Sequence, residues 1–145
     1  MKRTLKGCLL LLWMAVIFYF SNQPAADSTA TSSSVASWIY QLLHLLGITI
    51  RDEAVFTERY IGIIRKTAHF TEFMILGILA YGYFRPNRKG LQYSLLLSGL
   101  YGISDEIHQL FVLNRSCMVK DMLIDCTGAF FGVFLCHMIY EWKKE

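Results

Sequence analysis

Proline is nearly absent from this 145-residue chain, with only Pro24 and Pro86 present. With so few helix-breaking residues, the apolar stretches between them read as long helices. The four cysteines, Cys8, Cys117, Cys126 and Cys136, have no C-x-x-C spacing. That excludes the common zinc and dithiol redox patterns and leaves them as small apolar residues. Charge is scarce as well, at 17% of residues with a formal net charge of +3. Lysines and arginines stand in short clusters beside apolar blocks and build no basic face for nucleic acid. No H-E-x-x-H and no nucleophile motif is present.

What the chain has in plenty is apolar surface. Hydrophobic residues make up 54% and aromatics 14%, gathered into blocks of bilayer-crossing length. The expectation is a single all-α domain, an integral membrane bundle of four transmembrane helices with spans at about 7–20, 65–84, 91–113 and 121–140. The first span follows a basic leader and ends in Phe18-Tyr19-Phe20, which suits an interfacial belt and an anchor retained in the membrane. Ser21 to Ser34, rich in Ser, Thr and Ala, reads as a loop. Val35, Trp38, Ile39, Leu42, Leu43 and Leu46 then recur at helical spacing in a run too short to span. This is an amphipathic extracytoplasmic helix lying on the membrane between the first and second spans. A further helix starts near Asp52 and runs into the second span, which a basic turn from Arg85 to Gly90 closes.

Four crossings put Lys2, Arg3, Lys6, Arg85, Arg88, Lys89, Lys143 and Lys144 on one side, out of fourteen basic residues. The positive-inside rule makes that side cytoplasmic, together with both termini of a multi-pass protein.

Ionisable residues interrupt these spans, and they are costly in hydrocarbon unless they face partners or water. Arg65, His69 and Glu72 follow i, i+4, i+7; Asp105, His108 and Gln109 follow i, i+3, i+4; Asp121 and Asp125 follow i, i+4. Each set lines one helical stripe. Counted from the basic flanks at 1.5 Å per residue, the stripes lie roughly 20–30 Å up, in the outer half of the bilayer. They can face one outward pocket, with Lys66 and Arg115 adding positive charge. Glu106 stands about 100° from Asp105 on the helical wheel and is expected to point elsewhere. Gly128 and Gly132 continue the stripe of Asp125 and let a neighbouring helix approach closely.

Ser21-Asn22-Gln23, then Arg65-Lys66-x-x-His69-Phe70-x-Glu72-Phe73, then Ser104-Asp105-Glu106-x-His108-Gln109-x-Phe111-Val112-x-x-Arg115, then Asp121-x-x-x-Asp125-x-x-Gly128 together resemble the VanZ-like family over nearly the whole chain. Members often carry Pro-Gly before the arginine, where this chain has Leu113-Asn114. The resemblance implies a small protein of the bacterial cell membrane, from a family named for low-level resistance to the glycopeptide teicoplanin. It supplies no agreed catalytic mechanism and leaves cofactor and metal open.

Two functional readings stay open. In the first, the pocket binds a lipid head group, wall precursor or glycopeptide without catalysis. Arg65, Lys66 and Arg115 would hold anionic groups, with His69, Gln109 and the carboxylates hydrogen-bonding polar ones. In the second, the chain is an intramembrane enzyme acting on a lipid-linked envelope substrate. His69 with Glu72 and Asp105 with His108 would then be pairs of metal ligands beside Asp121 and Asp125, or His108 a general base oriented by Asp105.

Overall fold

The computed structural model describes residues 2–84 and 88–144. They form five helices: α1 (Arg3–Ser21), α2 (Ala25–Leu45), α3 (Glu53–Phe84), α4 (Arg88–Gln109) and α5 (Val119–Trp142). Arg85, Pro86 and Asn87 of the expected basic turn lie outside the described residues, while Arg88 and Lys89 already belong to α4.

At 32 residues α3 is about 48 Å long, and it packs against all four other helices. Asp52 starts it: the Asp52 carboxylate accepts from the amides of Ala54 at 2.8 Å and Val55 at 3.4 Å, which have no partner within the helix. The first half of α3 pairs with α2, where Ser37 bonds Glu53 and Tyr40 donates to the Ile50 carbonyl at 3.3 Å. Its second half meets α1, α4 and α5 around a core of Leu10, Ile17, Phe73, Leu76, Ala80 and Ala129.

The closest approach is between α3 and α5. A Cβ on Gly128 would run into the Phe70 carbonyl, one on Gly132 into that of Met74, and one on Gly77 into that of Ala129. The expected close neighbour of the Gly128 and Gly132 stripe is therefore α3, which returns a glycine of its own.

Two stretches differ from their sequence reading. Ser21 to Ser34 is not a loop, since α2 begins at Ala25 immediately after a turn capped by Pro24. Hydroxyls that favour loops are here turned onto the helix itself, Thr31, Ser32 and Ser34 each donating to the carbonyl four residues back at 3.0 Å. The run expected to cross from Leu91 to Leu113 stops being helical at Gln109. Leu110, Phe111 and Val112 donate to carbonyls three residues back, tightening the end, and Asn114 follows at φ 57°. Asparagine tolerates that left-handed conformation.

α1 and α5 are long and apolar enough to cross a membrane. Beside the apolar core, acids are buried while large apolar side chains face outward. Asp125 and Glu106 are 0% and 1% exposed, whereas Leu11, Leu12 and Phe131 are more than half exposed.

The basic ends gather at one end of the bundle. Lys6 Nζ donates to the Gly82 carbonyl at 2.9 Å, and Arg3 lies over the Tyr83 ring. Gly82 lies in the last turn of α3, where carbonyls need partners from outside the helix. Tyr81 of α3 bonds His137 near the end of α5 at 3.0 Å, bringing the C-terminal lysines to the same end.

Candidate functional site

The polar residues collect toward the opposite end, where α1 and α4 finish and α5 begins. Trp13 Nε1 donates to the Glu72 carbonyl at 2.9 Å and Tyr101 donates to that of Met14 at 2.7 Å, fixing α1 against α3 and α4. The two turns at this end are laced together. Ala25, whose amide has no partner within α2, donates to the Leu113 carbonyl at 3.3 Å. Arg115 reaches the carbonyls of Gln23 at 3.1 Å and Phe20 at 3.5 Å, and Gln109 Oε1 at 3.3 Å. Burial, and then the nearby Arg65 charge, lower the pKa of Arg115 from its ordinary value. An arginine nevertheless stays charged.

Arg65, His69 and Arg115 form the wall between two cavities. The larger, of about 170 Å³, is bounded also by Glu72, Asp105 and Ser21. The smaller, of about 70 Å³, is closed by Gln109, Asn114 and Asp121. Thr31, Ser32, Ala68 and Glu72 also belong to an apolar groove of about 540 Å³ running between α2 and α3 past Val35, Ile39 and Ile63. The chamber holding the charged groups thus shares four lining residues with the groove.

Below the chamber is a knot of buried acids. His69 Nδ1 stands 3.4 Å from Asp125 Oδ1, without the angle of a hydrogen bond. Gln109 donates to Asp105 Oδ2 at 3.2 Å, and the Met118 amide donates to Glu106 Oε2 at 3.1 Å. Gly102 makes room for this, since a Cβ there would lie only 3.2 Å from Asp125 Cβ and 3.4 Å from the Phe73 ring. One donor atom from each of His69, Asp105, Glu106 and Asp125 lies within 4.8 Å of the others.

Of the residues singled out from the sequence, Arg65, His69, Glu72, Asp105 and Arg115 meet at the larger cavity, Gln109 and Asp121 line the smaller, and Asp125 lies in the knot. Lys66 is exposed and lines neither. His108 packs its ring against Phe18 of α1, 4.8 Å away and tilted 32°, and is not one of the four residues of the knot. Glu106, expected to point away, is among the most deeply buried members. The wheel argument assumed that one helix face looks into the pocket, whereas α4 packs against both α3 and α5 and offers each a carboxylate. Among the described residues, neither Arg65 with Glu72 nor Arg115 with Asp121 forms an ion pair.

No curated protein and no solved structure matches the chain. A family model does, over residues 7–140, which spans all five helices and both cavities, and on that match the chain belongs to the VanZ/LLP1 family.

Proposed function

We propose that this chain is a multi-pass membrane protein whose outward-facing cavity takes the anionic head of an envelope amphiphile, a lipid or lipid-linked wall precursor, and thereby alters susceptibility to glycopeptides such as teicoplanin. In this reading α1, the second half of α3, α4 and α5 cross the bilayer, with the gathered basic ends in the cytoplasm. Apolar side chains on the outside and acids inside support it, because lipid rewards that inversion and water does not.

The observation that carries the head-group reading is that the cavity holding Arg65 and Arg115 shares Thr31, Ser32, Ala68 and Glu72 with the apolar groove between α2 and α3. Among the described residues neither guanidinium is in an ion pair, so Arg65 and the N–H groups that Arg115 keeps beyond its three bonds can hold phosphate or carboxylate oxygens. The groove offers an adjoining path for a hydrocarbon chain.

Dioctanoyl phosphatidate and dioctanoylglycerol titrated onto the purified chain test this directly. The phosphatidate is expected to bind and the neutral lipid not, with Arg65→Gln and Arg115→Gln each weakening binding. Equal binding of the neutral lipid rejects the head-group reading. In cells, unchanged teicoplanin susceptibility on expression rejects the link to glycopeptides.

A further inference from the structure

We propose that His69, Asp105, Glu106 and Asp125 form a binding site for a divalent first-row metal ion of the Mn2+ or Zn2+ kind. Three helices contribute, α3 the imidazole, α4 two carboxylates and α5 the third. Their donor atoms already lie within 4.8 Å of one another, so closing to metal–ligand bonds of about 2.0–2.2 Å needs only side-chain rotation of an ångström or so.

What points to a ligand is the state of the donors. Both oxygens of Asp125, a residue with no exposed surface, lack a hydrogen-bond partner, and so do Glu106 Oε1 and His69 Nδ1. Buried polar atoms are ordinarily satisfied, and orphans on three of the four members of one cluster are what a bound cation would use. Protonating the acids would remove their charge and let them bond to one another only after the side chains turned. A divalent ion removes the charge and occupies the orphans together.

Around the donors stand the groups that orient them. Gln109 holds Asp105, the Met118 amide holds Glu106, and Gln109 is itself held by Arg115. Three oxygens and one imidazole nitrogen favour a borderline ion over Mg2+ or Ca2+, which prefer oxygen alone. His69 and Asp105 also line the larger cavity, so an ion held here has an open side toward it. The assignment does not depend on which molecule enters that cavity.

The test is equilibrium dialysis of the purified full-length chain, stripped with chelator, against Mn2+, Zn2+ and Mg2+ in turn, with metal measured by elemental analysis. One Mn2+ or Zn2+ per chain is expected, with Mg2+ bound at least tenfold more weakly. Replacing an outer-shell partner commonly costs about 10–100-fold in affinity, so Asp125→Asn and Glu106→Gln should each cost at least that, and His44→Ala nothing. A thermal midpoint raised by the ion in the native chain gives a readout that needs no variant. Absence of stoichiometric metal in the native chain, Mg2+ binding as tightly as the others, or undiminished binding in both carboxylate variants overturns the proposal.

Discussion

Arg115 Nε donates to the carbonyl of Gln23 across 3.1 Å, joining the turn between α4 and α5 to the turn between α1 and α2. The same guanidinium holds Gln109 and Phe20, three directions that the planar fork serves and a lysine ammonium cannot. Arg115→Lys is expected to lower stability by about 1–3 kcal/mol, the scale of charged hydrogen bonds lost. Its thermal midpoint in detergent checks this, and a midpoint equal to the parent's would mean the tie carries no stability.

Gly128 and Gly132 are where α3 and α5 meet backbone to backbone. Alanine at either position should cost about 1–3 kcal/mol through overpacking. Gly62 and Gly82 in α3 have open space where a Cβ would go. Alanine there should stabilise by up to about 1 kcal/mol through reduced backbone freedom. Equal responses from the two pairs in thermal unfolding would refute the close approach.

Asn114 at φ 57° needs a residue that accepts the left-handed region. Asn114→Gly should leave stability and lipid binding near the parent, while Asn114→Val should cost about 1–2 kcal/mol. Unfolding midpoints of the two variants decide it, and a harmless valine would argue against this turn.

Crossing of the membrane can be read with single cysteines in a background without native ones. Cysteines at Ser33 and Asn114 should react with an impermeant thiol reagent in intact cells, and those at Lys89 and Lys144 only after permeabilisation. Labelling of Lys89 in intact cells would put the cavity on the cytoplasmic side and end its proposed access to outer-surface ligands.

His108 and Asp105 separate packing from site chemistry. His108→Phe keeps a ring against Phe18 and should retain lipid binding and any susceptibility phenotype, whereas Asp105→Asn should lose both at equal membrane abundance. Loss in both variants would return His108 to the site.

Local pattern carried much of the architecture. The α3–α5 contact was legible because Gly128 and Gly132 advertise a close neighbour whatever that neighbour is. Asp52 likewise announced the start of α3 by cap chemistry confined to a few residues. The helical continuation through Thr31, Ser32 and Ser34 was not legible, because hydroxyl residues disfavour helix interiors until their side chains find the carbonyl behind them. Glu106 and His108 exchanged places for a different reason. Which face of α4 meets α1 and which meets α5 depends on tertiary packing, and no spacing within α4 encodes it.

The side chains that pin α1 join it to carbonyls and a hydroxyl lying 59, 76 and 87 positions further along the chain. Helix α1 therefore leaves the ribosome long before anything exists to hold it. During synthesis it must wait until Glu72, Gly82, Tyr101 and, 95 positions beyond Phe20, Arg115 have emerged. Helix α1 is thus fully tied only once the turn after α4 is made, and that is the earliest moment in biogenesis at which the cavity can have its α1 wall.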